Sequence, residues 1–306
     1  MTDAKKIKKT KKQANGTSGR IEKFKISDAV IMLIIILLCL TCILPFLYVA
    51  SKSISSDAAV LSKQVGLWPV DITFNAYGTI FRDGQLTHAM GYTVLVTALF
   101  TILGMILTIC AAYPLSKKRL KGRALIAFVL MLTMYFNAGI IPDYLLYLDL
   151  NIVNTMWVLV FPLAFSPYNM LIMRSYLQAN IPDSLEEAAF LDGASNFGIL
   201  WRIVLPLSKP IIATLSLFYA VGRWNAFADA RYYINNRDLK PLQLILWQMV
   251  LSASEPISPN DPSGVVVTKE VFQSAAIMFA TIPIMLVYPF AQKYFVKGVM
   301  VGAVKG

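Results

Sequence analysis

Residues 181–207 read IPDSLEEAAFLDGASNFGILWRIVLPL. Pro182 suits a first helical turn, where its missing N–H is not needed, and Asp183, Glu186 and Glu187 put negative charge near the positive end of that helix. Gly193 supplies a stop, because glycine accepts the left-handed backbone conformation that ends many helices. Ser195 can then cap a second helix, on which Phe197, Leu200, Trp201 and Val204 recur at helical spacing until Pro206 disrupts it. The stretch predicts two short helices joined at Gly193. Its flanks decide where they lie.

On both sides the chain is apolar over lengths that match a bilayer, since a helix needs about 20 mostly apolar residues to cross the hydrocarbon core. Charge-free runs occupy 29–50, 91–115, 124–142, 151–173 and 271–292. A sixth run, 210–228, reaches spanning length when Arg223 is accepted near its far end. Pro45, Pro162 and Pro283 would end soluble helices, but neighbouring helices can satisfy the freed backbone groups in a membrane bundle. The 306 residues are 57% apolar, with positive mean hydropathy, which is more apolar sequence than one water-soluble core of this size needs. The expected fold is an all-α membrane protein with six transmembrane helices in residues 29–297. A basic tail, 1–28, precedes them and a short tail, 298–306, follows. The two short helices sit in a loop, 174–209, between the fourth and fifth spans. The first apolar run is longer than a signal-peptide core and no small-residue cleavage site follows it, so it reads as a retained helix.

The formal charge of +11 does not describe a nucleic-acid-binding face, because nine of the 28 Lys and Arg lie between Lys5 and Lys25. Six spans put both termini on one side. That side carries the tail, the five cations of 116–123, three in 174–209 and three in the C-terminal tail, leaving eight for the other side. The excess marks the cytoplasm. Two outer loops are long, roughly 51–90 and 229–270, and the second is rich in turn formers around Pro256, Pro259 and Pro262. Cys39, Cys42 and Cys110 all fall within apolar runs and read as small hydrophobes. The Cys39/Cys42 spacing has no second pair or nearby His to complete a metal site.

The loop resembles the Glu-Ala-Ala signature of bacterial ABC importer permeases, met here by Glu187-Ala188-Ala189, Gly193, Ile203 and Leu205-Pro206 at the family's offsets. The resemblance extends through Ala112 to Ser116, Asn151 to Trp157, Leu205 to Pro210, Trp224-Asn225 and the closing Lys297-Gly298. Those segments look like carbohydrate-importer permeases of the maltose type. Tyr219 to Gly222 with Trp224-Asn225, and Pro241 to Leu244, are most similar to the subgroup for complex oligosaccharides, including uronate-containing ones.

The resemblance implies a type I ABC importer permease fold in the bacterial plasma membrane, with 174–209 as the coupling-helix loop. Glu186, Glu187, Ala188, Ala189, Asp192 and Gly193 would meet the ATPase. The implied partners are a homologous second permease in a heterodimer, two cytoplasmic ATPase subunits and an extracellular solute-binding lipoprotein that delivers oligosaccharide. The chain has no Gly-x-x-x-x-Gly-Lys-Ser/Thr phosphate loop. No catalytic residue, metal site or cofactor is therefore expected on it, and ATP and Mg would bind the ATPase subunits. Catalysis of its own and nucleic-acid binding are not expected; membrane lipid is its solvent.

Arg223, Trp224 and Asn225 are candidate substrate-path residues, since an aromatic face beside hydrogen-bonding groups suits a sugar ring. The alternative is an interfacial anchor, with Trp224 at the membrane surface and Arg223 snorkelling. Asn137 and Tyr144, beside Gly139 and Pro142, are weaker candidates. A secondary transporter is the nearest rival class, but such proteins keep ionisable residues deep in their spans, and the five charge-free runs have none. A membrane receptor or scaffold is the other rival; the full signature counts against both.

Overall fold

The computed structural model describes residues 26–136, 138–251 and 267–303. Among these residues the secondary structure is helical, without strands. The helices are α1 (Ile26–Ser53), α2 (Asp57–Leu61), α3 (Asn75–Asp83), α4 (Gln85–Ser116), α5 (Arg123–Leu132), α6 (Ile140–Asp149) and α7 (Trp157–Val160). They continue as α8 (Pro167–Asn180), α9 (Asp183–Leu191), α10 (Asn196–Leu207), α11 (Lys209–Asn225), α12 (Ala228–Tyr233), α13 (Leu242–Leu251) and α14 (Lys269–Ala303). Residues 1–25 of the basic tail, Asn137 and the Pro256–Pro262 turn cluster lie outside the described residues.

The chain forms two compact units, residues 1–48 and 49–306. In the first, α1 carries apolar side chains around its whole circumference from Val30 to Leu47, the composition of a membrane-spanning helix. In the second, α4 is the central element and packs along α8 and α11, and α14 packs against α11. Where lipid is as apolar as the side chains, helices associate through close packing, and small residues permit it. Gly104 is such a residue: a Cβ there would stand 2.8 Å from both the Ala164 carbonyl oxygen and the Tyr219 ring. Met170, Met173, Leu177, Ile199 and Leu215 fill the adjoining core.

Three helices, Asp28–Ser53, Gln85–Ser116 and Lys269–Pro289, are long and apolar enough to cross a membrane among the described residues. Asn196–Leu207 and Lys209–Asn225 make a fourth if the bent pair is taken as one span. The apolar runs 124–142 and 151–173 are each built from helical pieces. The first contains α5 from its second residue and the start of α6, separated by turns from Thr133. The second is interrupted at 161–166, where Leu163 has positive φ, and Ser166 caps α8 with Pro167 in its first turn. Irregular backbone at membrane depth must find partners inside the protein. Here the Ser166 N–H donates to the Tyr219 hydroxyl at 3.1 Å, and that hydroxyl also meets Thr108 Oγ1 at 2.8 Å.

Side chains tie the remaining pieces to this frame. Thr93 Oγ1 accepts the Leu242 N–H at 2.9 Å, satisfying a donor at the start of α13. Asn154 Oδ1 accepts the N–H groups of Asn235 and Asn236, and the Asn154 N–H donates to the Tyr233 carbonyl.

Candidate functional site

The stretch 181–207 forms the two-helix elbow expected of it. Pro182 stands one position before the helix, and Asp183 and Glu186 occupy the first turn of α9. The helix ends as the Gly193 N–H donates to the Phe190 carbonyl at 3.0 Å and the Ala194 N–H to the Ala189 carbonyl at 2.9 Å. Gly193 has a φ of +80°, the left-handed conformation that a Cβ disfavours. The Ser195 hydroxyl accepts the Gly198 N–H at 3.1 Å and so caps α10.

Pro206 does not end α10 where the sequence predicted. A π-helical turn at Leu200–Val204 precedes it, and the helix continues to Leu207. Proline lacks the donor and crowds the carbonyl four residues back; widening the preceding turn relieves that crowding, and the Leu205 N–H bonds to the Leu200 carbonyl instead. The chain then turns by 82° into α11.

The carboxylates of the elbow separate by face, since adjacent helical residues point about 100° apart. Glu186 is buried and paired with Lys117, which follows the last residue of α4. Glu187, Ala188 and Asp192 are exposed, as is the joint at Gly193, while Ala189 is half-buried. Glu187 makes no ion pair among the described residues. Leu191 is 90% exposed beside it, and Phe197 and Trp201 stack in the open with ring centroids 6.2 Å apart. The elbow thus presents a carboxylate and three large apolar side chains that nothing among the described residues covers.

The contact between 117–119 and the elbow is what sequence reasoning missed. Lys118 lies 3.3 Å from Asp183, and Arg119 donates to Asn196 Oδ1 at 2.5 Å while its guanidinium stands 4.7 Å from the Phe190 ring. On the other side, Arg174 and Gln178 donate to the carbonyls of Leu115 and Ser116, which close the C-terminal end of α4. Two neighbouring glutamates near a basic loop were the available signal, but only the burial of Glu186 tells them apart.

At the other end of α11, Arg223, Trp224 and Asn225 do not share a surface. Arg223 is buried, gripped by Asp229 at 2.5 and 3.0 Å and bonded to the Leu159 carbonyl at 3.3 Å. A guanidinium held this way does not snorkel. Trp224 is buried among Ile80, Leu242 and Phe272, and its Nε1 has no hydrogen-bond partner among the described residues. Asn225 is exposed and lines a cavity of about 470 Å³ with Phe227, Gln243, Trp247 and Thr281. Phe227 and Trp247 stack with centroids 5.8 Å apart. Among the described residues no ionisable side chain lines that cavity.

Tyr144 stacks on Tyr233, centroids 6.2 Å apart, one turn beyond Asp229 on α12. Burial, reinforced by the nearby Asp143 and Asp229 carboxylates, pushes the Tyr233 phenol up from its ordinary pKa.

Residues 124–301 match the family described as binding-protein-dependent transport system inner membrane component. Protein LplC of Bacillus subtilis strain 168 is 40% identical over 265 residues, covering 86% of this chain and 90% of that protein. The polygalacturonan/rhamnogalacturonan transport system permease protein YtcP of the same organism is 38% identical over 286 residues, covering 93% of this chain and all of that protein. A chain of the crystal structure of a bacterial ABC transporter involved in the import of the acidic polysaccharide alginate superposes with a TM-score of 0.83 at 33% identity, covering 90% of this chain and 98% of that one.

Proposed function

The chain belongs to the binding-protein-dependent transport system inner membrane components, and from that premise we propose that it imports an oligosaccharide by alternating access, driven by partner ATPase subunits. Six spans with both termini in the cytoplasm fit the charge distribution, in which twenty of the 28 cations fall on the side of 116–123. The assembly is a heterodimer with a second homologous permease, two cytoplasmic ATPases that carry ATP and Mg, and an extracellular solute-binding lipoprotein.

The observation that carries this reading is the exposed face of the elbow. Glu187, Asp192 and Leu191 project around a glycine joint, beside Phe197 and Trp201, and α10 runs directly into α11 through the 82° bend. A carboxylate ringed by apolar surface suits a cationic groove on an ATPase, where partial desolvation strengthens the pair. Closure of the ATPase dimer would push the elbow, and the bend would turn that push into rotation of α11.

Asn225 lines the sugar path in this reading, together with Gln243, Thr281 and the Phe227/Trp247 pair. Sugar rings offer a carbon face to aromatics and hydroxyls to amides. Arg223, neutralised by Asp229, supports this wall with Trp224, and Tyr144 buttresses it through Tyr233. The relatives' polygalacturonan/rhamnogalacturonan and alginate substrates support a polysaccharide fragment as cargo.

Purification in mild detergent tests the assembly: a stoichiometric ATPase and a second permease are expected to accompany the chain. Isolation of the chain alone from cells expressing its operon would overturn the reading. Binding of neutral and uronate oligosaccharides to the partner lipoprotein then identifies the cargo.

A further inference from the structure

Three consecutive cations, Lys117, Lys118 and Arg119, touch the elbow at three separate points: Glu186, Asp183, and Asn196 with Phe190. Orientation of the protein in the membrane requires only that these charges stay on one side. It does not require burial. Yet the side chains of Lys117 and Glu186 keep only 8% and 6% of their exposure. Desolvating an ammonium and a carboxylate is costly unless each has the other. The exposed Lys118–Asp183 pair, in contrast, contributes little. Lys117–Glu186 is thus the buried ion pair that ties α9 to the end of α4.

What it joins matters. The Lys117 N–H donates to the Pro114 carbonyl, so this residue closes α4. That helix has 32 residues, about 48 Å at 1.5 Å rise per residue. Along it, Thr108 meets the Tyr219 hydroxyl and the Phe100 ring lies 5.7 Å from the Arg223 guanidinium. Displacement of α9 has two routes inward: along the backbone through α10 into α11, and across the ion pair into α4.

We propose that Lys117–Glu186 is a joint that stays closed through the transport cycle and transmits elbow movement to α4, making both residues positioning residues for transport. The inference rests on the reading of 181–207 as the element that meets the ATPase. If that reading fails, the parental chain brings no ATPase through purification. If only the joint fails, the importer assembles and the variants below behave like the parent.

The test uses the assembled importer with Cys39, Cys42 and Cys110 replaced by Ala and a fluorescent amino acid in place of His88, at the end of α4 far from Lys117. A non-hydrolysable ATP analogue should change the fluorescence of the parent. Glu186→Gln and Lys117→Met should reduce that response about fivefold or more while the ATPase remains bound, and Lys117→Arg should retain it. Lys117→Cys with Glu186→Cys, bridged by a short bifunctional thiol reagent, should also keep the response. Undiminished response in both neutral variants, or its loss in the bridged importer, would overturn the joint. Loss of the ATPase from Glu186→Gln would overturn it too, because the pair would then serve only to build the docking surface.

Discussion

Both terminal nitrogens of Arg223 grip the carboxylate of Asp229, six residues further along the chain, where α11 has already turned into α12. The pair explains how a span can end in a charge without exposing it to lipid. It also sets a double-substitution prediction. Asp229→Asn leaves a buried guanidinium unpaired and should destabilise the importer by about 3–5 kcal/mol, and Arg223→Gln by somewhat less because Asp229 is partly exposed. Arg223→Gln with Asp229→Asn should recover most of the loss. Melting temperatures of the detergent-purified complex measure this; a double variant no more stable than the sum of the singles would mean that Arg223 answers to another group.

Gly193 and Glu187 should govern coupling. A β-branched residue at a φ of +80° is strained by more than the usual 1–2 kcal/mol for a side chain in that region. Gly193→Val, or Glu187→Lys at the exposed face, should abolish ATP-driven uptake while the chain still inserts in the membrane. The expected signature is loss of the co-purifying ATPase, or ATP hydrolysis that loaded lipoprotein no longer stimulates. Parental uptake by both variants would remove the elbow from the mechanism.

The orientation can be checked with an impermeant thiol reagent. A cysteine replacing the exposed Lys121, in a cysteine-free background, should react only after the membrane is opened. Labelling from outside intact cells would invert the topology.

Gly104 should tolerate no side chain. Its missing Cβ leaves room for the Ala164 carbonyl and the Tyr219 ring, so Gly104→Ala should destabilise the bundle by about 1–3 kcal/mol. Tyr219→Phe should cost a similar amount, because Ser166 N–H and Thr108 lose their partner. Thermal unfolding in detergent reads both, and unchanged melting would show that α4 and α11 can separate freely here.

The cavity beside Asn225 should decide sugar affinity. Trp247→Ala and Gln243→Ala should raise the apparent KM for oligosaccharide uptake with the ATPase still bound. Removing a stacking ring forfeits on the order of 1 kcal/mol or more. Kinetics indistinguishable from the parent would move the sugar path away from this wall.

Local chemistry was enough for the elbow: the acidic first turn, Gly193 and the Ser195 cap all act within a few residues, and the structure repeats them. Long apolar runs were equally legible, because a bilayer imposes length and composition on any helix that crosses it. Helix continuity was not. The interruption at 161–166 depends on Tyr219, 53 residues beyond Ser166, accepting an N–H that an unbroken helix would have satisfied itself. Pro206 likewise looked like an end, but a widened turn at Leu200–Val204 precedes it and the helix runs on to Leu207. Side-chain direction was the larger gap. Arg223, Trp224 and Asn225 are neighbours in sequence, yet one is sealed by Asp229, one is buried and one faces a cavity. Glu186 and Glu187 are identical in sequence terms, and only the packing of α9 against Lys117 decides which is anchored and which is free to meet a partner. Composition and spacing determine where a helix forms because those forces act along the chain. Which face turns inward is decided by residues distant in sequence, and so only by tertiary structure.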